Sequence, residues 1–249
     1  MKILSILALS CALVACGGGG GGTTDVPAPA VTTPAPAQLS ALNAWKALMT
    51  TGGTWSTSGK SSDGSTYDLT TVITPKGVAA LKTVTGFEPV GAAIPSTNFN
   101  SSEVVTTTRK NGALAGSDTK LFYLDQTTTA IRYLIAPSLP SCVPTDSNGQ
   151  VPSTTALNTS GFMFTGYDNA YSNSICYSNP FVFGTTYRLT WSYESESSLP
   201  LFCVNYTTTK SGVATVQSSC FETTAAGAIG TKARLSVTSG TFTLISKNY

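Results

Sequence analysis

The side chains that most often perform catalysis are scarce in this sequence. It contains no histidine, 12 acidic residues and 14 lysines and arginines, for a formal net charge of +2. Without histidine, Ser-His-Asp and Cys-His catalysis and histidine-ligated metal sites are excluded. A net charge this small also gives no electrostatic basis for binding nucleic acid. We therefore predict neither a nucleic-acid partner nor a cofactor.

Two pairs of residues could still carry catalysis. Ser117 and Lys120 have the Ser-x-x-Lys spacing of penicillin-recognising enzymes. That chemistry needs a helix, and the apolar residues after Lys120 predict a strand. Glu194 and Glu196 share one face of a predicted strand, and two carboxylates can hydrolyse a glycosidic bond. Because a Glu pair on a solvent-facing strand is usually just solvated, we predict no enzyme, with a glycan-active enzyme as the alternative.

Four cysteines remain in the C-terminal part of the chain after Cys11 and Cys16 near the N-terminus. An even number in an oxidising compartment predicts two disulfides. The sequence has no Cys-x-x-Cys pair, so the spacing does not favour a metal site. The four cysteines are Cys142, Cys176, Cys203 and Cys220.

A hairpin argument assigns one of the two disulfides. Ser211-Gly212 is a turn dipeptide, and as a two-residue loop it would place Lys210 opposite Val213. Cys203 lies seven residues before Lys210 and Cys220 seven residues after Val213, so the two cysteines are directly opposite in this register. Hydrogen-bonded and non-hydrogen-bonded pairs alternate along an antiparallel ladder, and after seven steps the cysteines form a non-hydrogen-bonded pair, within disulfide reach. A longer turn would shift the register and separate the two. The hairpin register leaves Cys142 to pair with Cys176.

The N-terminal segment has the pattern of a secretory signal peptide over 1–15. A positive start precedes an apolar run of about 12 residues, too short for a bilayer-spanning helix of roughly 20. The run ends at Leu13-Val14-Ala15-Cys16, which resembles the lipobox of bacterial lipoproteins. The resemblance implies cleavage before Cys16, palmitate-type acylation of that residue and a lipid anchor in the membrane. Gly17 is not the aspartate that retains such lipoproteins in the inner membrane, which implies the outer membrane.

The segment after Cys16 is a tether. A run of glycines over 17–22 precedes a Thr-, Pro- and Ala-rich stretch that reaches residue 37. Glycine runs form flexible coils and Pro-Ala stretches are extended, so neither packs into a core. We therefore expect residues 16–37 to hold the following domain away from the membrane.

The spacing of apolar residues over 38–249 predicts a single all-β domain with one short N-terminal helix. Apolar residues over 38–50 have helical spacing, whereas later segments alternate with a period of two. Asn111-Gly112 and, more weakly, Ser239-Gly240 indicate hairpin turns. A weak repeat relates 64–70 to 184–190. We predict an antiparallel meander, a barrel or a sandwich, of about 8–10 strands.

The stretch over 137–180 interrupts this pattern with Pro, Ser, Asn and Gly. A loop this long is either functional or an insertion pinned by its disulfide. We expect a variant lacking 143–175 to fold. Its aromatic residues form a candidate binding surface: Phe162, Phe164, Tyr167, Tyr171 and Tyr177.

These patterns together indicate a location more clearly than an activity. The order of strands and turns resembles uncharacterised β-rich envelope lipoproteins, a resemblance that implies no specific activity. We expect a membrane-anchored envelope lipoprotein whose non-catalytic β domain binds an unknown ligand or envelope partner. Besides the glycan-active enzyme, a purely structural envelope role stays open.

Overall fold

The computed structural model describes residues 38–84, 96–136, 141–144, 149–167, 169–172, 175–177 and 185–249. Residues Pro36–Tyr249 form one compact unit. The expected signal peptide, the acylated Cys16 and the tether over 16–37 lie outside the described residues. In the described segments, no helix is long and apolar enough to cross a membrane.

One helix and fourteen strands make up the described chain. The helix α1 covers Ala41–Thr50. The strands are β1 Gly53–Ser61, β2 Thr66–Val84, β3 Ser96–Lys110, β4 Ala113–Leu124, β5 Ile131–Ala136, β6 Ser141–Pro144, β7 Thr159–Tyr167, β8 Asn169–Ser172, β9 Ile175–Tyr177, β10 Thr185–Glu196, β11 Leu199–Lys210, β12 Val213–Thr223, β13 Ile229–Ser239 and β14 Phe242–Lys247.

Eleven of these strands form one antiparallel, nearly closed barrel-shaped sheet in the order β7-β10-β11-β12-β13-β14-β1-β2-β3-β4-β5. Most neighbours in the sheet are also neighbours in sequence, as in a meander. The first and last strands, β1 and β14, pair with each other and join the two halves. The predicted all-β class with one short N-terminal helix is confirmed. The number of strands exceeds the predicted number, because β6 to β9 lie within the stretch that was expected to be a loop.

The predicted loop insertion over 137–180 is wrong for residues 159–167. Residues 159–167 form β7, which pairs antiparallel with β10 across a register shift. Met163 is 4% exposed and Phe164 is fully buried, and both belong to the main hydrophobic core. Gly161 lies directly against the Trp191 ring, where an added Cβ would approach within 2.5 Å. We therefore expect a variant lacking 143–175 to lose core contacts, contrary to the sequence prediction.

The other strands of this stretch complete a second, smaller ring. Strands β6, β8 and β9 continue from β5, and β9 pairs in parallel with the C-terminal part of β2. The ring is closed by the pairing of β2 with β3 and of β3 with β4. Its core is separate from the main one and consists of Leu81, Phe99, Tyr123 and Ile135.

Helix α1 covers one end of the barrel, called here the helix end, where the turns at 125–130, 197–198 and 224–228 also lie. Its apolar residues recur at helical spacing, so Trp45, Leu48 and Met49 are buried on one face. The Trp45 indole donates a hydrogen bond to the Thr129 carbonyl at 3.0 Å. Burial of this face holds the helix across the barrel, with Met49 reaching the interior.

The opposite end, called here the open end, contains the turns at 62–65, 111–112, 211–212 and 240–241. Two of these turns have the predicted two-residue loops, with Lys110 opposite Ala113 and Lys210 opposite Val213. Asn111 and Ser211 adopt positive φ values of 50° each, as the first residue of a type I′ turn requires. The Ser239-Gly240 expectation is off by one residue, because Ser239 pairs with Phe242 and the loop is 240–241.

The four strands β2–β5 and the four strands β10–β13 have the same meander order. The pairing does not support the alignment of 64–70 with 184–190. Leu69 lies opposite Thr108 and Tyr187 opposite Thr208, each two residues before the lysine of its hairpin turn. Leu69 and Tyr187 therefore occupy corresponding positions in the two meanders. The sequence match instead aligns Leu69 with Leu189, two residues further along the chain.

Candidate functional site

A cavity of about 320 Å³ lies inside the barrel at the open end. Its walls come from β2, β3, β4, β12 and β13, whose inward residues alternate with outward ones. Thr106, Thr108, Gln217 and Ser219 provide hydroxyl and amide groups, and a strip of Leu69, Leu235 and Val237 provides the apolar part. This space is called here the outer cavity.

Lys120 of β4 points into the barrel next to Asp118, whose side chain lines the outer cavity. Its ammonium forms an ion pair with Asp118 and lies 3.4 Å from the side-chain oxygen of Gln217. It also lies 4.8 Å from the centre of the Tyr206 ring, within the range of a cation–π contact. The Lys120 side chain is 14% exposed, and its charge is compensated by the carboxylate and the ring.

Behind Lys120 lies a smaller, more apolar space of about 70 Å³, called here the inner cavity. Met49 of the helix closes it, and Phe122, Leu189 and Phe221 line it. Lys120 and Gln217 both line this space, and Gln217 also lines the outer one. Their contact joins β4 to β12 across the interior, close to where the two cavities meet, since Thr71, Thr106, Gln217 and Ser219 line both.

In the sequence, Lys120 is marked only by its place in a Ser-x-x-Lys motif. In the structure Ser117 and Lys120 both lie on strand β4, so the helix that this motif needs is absent here, as predicted. A different signal was present. Asp118 and Lys120 alternate in step with Phe122, so two charged residues occupy the face of the strand that points into the core. Charged residues at core-facing positions are rare unless they are paired or functional.

The Cys203–Cys220 disulfide and the hairpin register behind it are confirmed. The two cysteines are directly opposite in the β11–β12 ladder, with their Cα atoms 3.9 Å apart. Both are fully buried. Phe202 lies opposite Phe221 on the next rung, as the register requires.

The Cys142–Cys176 disulfide stays a prediction, because both sulfur atoms lie outside the described side chains. The backbone is described at these positions. Cys142 of β6 pairs with Asn169 of β8, and Cys176 of β9 pairs with Tyr171 of the same strand β8.

The side chains of Glu194 and Glu196 do not face a cavity. They lie on the outer face of the sheet, next to the guanidinium of Arg234. Both carboxylates contact the guanidinium of Arg234, Glu196 at 2.8 Å. Lys247 and the Tyr249 hydroxyl also donate to Glu196, at 3.0 Å and 2.9 Å. Partial burial alone would raise the pKa of Glu196, but the hydrogen bonds from Lys247, Arg234 and Tyr249 outweigh it and lower this pKa to about 2.

One cluster among the described residues has the ligand types of a metal site. It combines Glu194 with Cys203 and Cys220, whose ligand atoms lie within 4.8 Å of one another. Metal ions bind thiolates, and these two sulfurs are bonded to each other. In the oxidised protein the two sulfurs of this cluster form the disulfide, which packs beneath the Glu194–Arg234 ion pair.

The aromatic residues expected to form a binding surface do not share one location. Phe164 is buried in the core, so its assignment to a binding surface is wrong. Phe162 faces outward and packs against Arg188, with the guanidinium 5.7 Å from the ring centre. The side chains of Tyr167, Tyr171 and Tyr177 lie outside the described part of the structure.

Comparison with known proteins does not add a family to this geometry. No family model matches the chain, and no curated protein or solved structure is significantly similar to it.

Proposed function

We propose that this chain is an envelope lipoprotein, anchored through Cys16, whose β domain binds a small ligand in the outer cavity without catalysing a reaction. The observation that carries the proposal is the outer cavity itself. Its volume of about 320 Å³ falls at the lower end of the range for small-molecule sites, about 300–1,000 Å³. The walls belong to hydrogen-bonded strands of one sheet, so the site exists before a ligand arrives.

The outer cavity and the start of the described chain lie at different ends of the barrel. Leu39 and Ser40 are hydrogen-bonded to Thr155 and Ala225 at the helix end, whereas the outer cavity lies at the open end.

A carboxylate-based glycan hydrolase has less support. Such an enzyme needs one protonated carboxyl group whose pKa is raised and one ionised carboxylate. The pKa of Glu196 is lowered to about 2, and both Glu194 and Glu196 are occupied by Arg234.

The cavity proposal can be tested with a blocking variant and a matched control. Thr108 points into the outer cavity, while its neighbour Thr107 points outward and pairs with Thr70 of β2. We expect Thr108→Trp to fill the cavity and Thr107→Trp to leave it open. The full chain, purified from its host in mild detergent, is extracted and its small molecules are identified by mass spectrometry.

The proposal expects at least one compound that copurifies with the wild type and Thr107→Trp but not with Thr108→Trp. If wild type and Thr108→Trp carry the same compounds in the same amounts, no ligand occupies the cavity.

The anchor is tested separately. Replacing Cys16 with Ser removes the thiol that would accept the lipid, so labelled palmitate should no longer enter the protein. Incorporation that persists in Cys16→Ser would show that the lipoprotein assignment is wrong.

A further inference from the structure

We infer that the ligand of the outer cavity is a neutral, polyhydroxylated molecule of the size of a mono- or disaccharide. This inference rests on the proposed function, namely that a small molecule occupies this cavity. It follows from the charge, the hydrogen-bonding groups and the volume of the site.

The charge of the site favours a neutral ligand. Among the described residues that line the two cavities, the charged ones are Asp118 and Lys120, and they form an ion pair with each other. An anionic ligand would meet the half-exposed carboxylate of Asp118 or would have to displace it from Lys120. A cationic ligand would compete with Lys120 for the same carboxylate. A neutral ligand leaves the pair intact and pays neither cost.

The polar groups of the walls match a polyol. Thr106, Thr108 and Ser219 have hydroxyl groups, each of which can donate one hydrogen bond and accept others, and Gln217 adds an amide whose NH₂ group donates. The Thr106 hydroxyl already pairs with Thr71 at 3.3 Å and the Gln217 oxygen accepts from Lys120 at 3.4 Å, so these two keep part of their capacity for a ligand. Sugar hydroxyls also donate and accept, so the two sets can pair in several ways. The apolar strip of Leu69, Leu235 and Val237, defined above, suits the C–H face of a sugar ring.

The volumes argue against a lipid chain or a long glycan. The inner cavity of about 70 Å³ lies behind the Lys120–Gln217 contact. An engineered apolar cavity that holds benzene has about 150 Å³, roughly twice the volume of this space, so the inner cavity does not suit a six-membered ring. A ligand must therefore be accommodated in the outer cavity of about 320 Å³, which suits one or two sugar rings.

The test uses three ligands with the same ring and different charges. Glucose is neutral, glucuronate is anionic and glucosamine is cationic, and binding to the full chain in mild detergent is measured by isothermal titration calorimetry. Galactose, N-acetylglucosamine, maltose and cellobiose extend the neutral set, and octanoate serves as the acyl-chain probe. We expect at least one neutral sugar to bind the wild type and Thr107→Trp but not Thr108→Trp. Its charged counterparts should bind about tenfold more weakly, because they disturb the ion pair.

Two charge variants test the reason for the preference. Lys120→Met leaves Asp118 without its partner, so glucosamine should gain about tenfold relative to glucose. Asp118→Asn leaves the Lys120 charge uncompensated, so glucuronate should gain instead. Either variant suffices if the other fails to fold. Wild-type preferences that both folded variants retain would overturn the inference.

The failures of the two proposals can be told apart. If octanoate binds the wild type and Thr107→Trp but not Thr108→Trp, and no sugar binds, the cavity is a binding site and the sugar inference is wrong. If a sugar binds the wild type and Thr108→Trp equally, it does not occupy the cavity, and the inference is also wrong. If no probe binds and no compound copurifies, both proposals fail.

Discussion

The sharpest test of the fold concerns two phenylalanines on one strand. Phe164 and Phe162 are two residues apart on β7, but the register shift in the pairing with β10 separates their environments. Phe164 lies opposite Leu189 and is fully buried in the main core. Phe162 lies opposite Thr190 and packs on the outer face, 5.7 Å from Arg188.

The expected effects of truncating the two side chains differ several-fold. Replacing a fully buried Phe with Ala costs about 3–5 kcal/mol, the sum of the lost transfer energy and the cavity left behind. A domain has about 5–15 kcal/mol of stability in total, so Phe164→Ala should remove a large part of it. Phe162→Ala loses one cation–π contact at a surface site, about 0.5–1 kcal/mol.

The measurement is urea unfolding of the full chain, followed by circular dichroism, for the wild type and both variants. The unfolding free energies are comparable if the slopes with urea agree. We expect Phe164→Ala to unfold at a clearly lower urea concentration and Phe162→Ala to remain close to the wild type. Equal effects below about 1 kcal/mol would refute the reasoning and return 159–167 to the surface loop that the sequence predicts.

Three further predictions follow from other parts of the fold. Replacing Cys203 and Cys220 together with Ala should cost about 3 kcal/mol of unfolding free energy, since the bond closes a loop with a sequence separation of 17; a loss below about 1 kcal/mol in urea unfolding would contradict this. Because the pKa of Glu196 is lowered from 4.5 to about 2 in the folded protein, the stability it contributes is present above pH 4.5 and is lost as the pH falls towards 2. Unfolding of Glu196→Gln should therefore depend less on pH in that window than unfolding of the wild type, by about 1–2 kcal/mol at this partly exposed cluster, and identical pH profiles would argue against the ion pairs. Gly59→Val should cost about 3 kcal/mol or more, because a Cβ there would lie 1.9 Å from a carbonyl oxygen of β14, whereas Ser58→Val on the exposed side should change the thermal midpoint little.

Features set by neighbouring residues were readable from the sequence. Alternation with a period of two predicted most of the long strands, and helical spacing predicted α1. The turn dipeptides Asn111-Gly112 and Ser211-Gly212 adopt the left-handed backbone of a type I′ turn, so their local chemistry set two hairpin registers. The second register placed Cys203 opposite Cys220 without any knowledge of the rest of the fold.

The same local rule failed where the turn residues were less specific. Ser239-Gly240 is one residue away from the real loop, because Ser239 pairs with Phe242 and the loop is 240–241. The repeat match between 64–70 and 184–190 failed for a similar reason. Threonine-rich segments look alike in sequence, while the pairing partners of Leu69 and Tyr187 show which positions correspond.

Other features depended on contacts between segments far apart in the chain. Proline, serine and glycine around 159–167 indicate a loop, but pairing with β10 and burial of Phe164 make this segment a core strand. Lys120 and Gln217 are 97 residues apart, and only closure of the barrel brings them together. Thus the sequence alone determined the secondary-structure class and one disulfide, while the lipid anchor at Cys16 stays a prediction. Tertiary structure decided the candidate site, because a cavity exists only where distant strands curve around a space that their side chains do not fill.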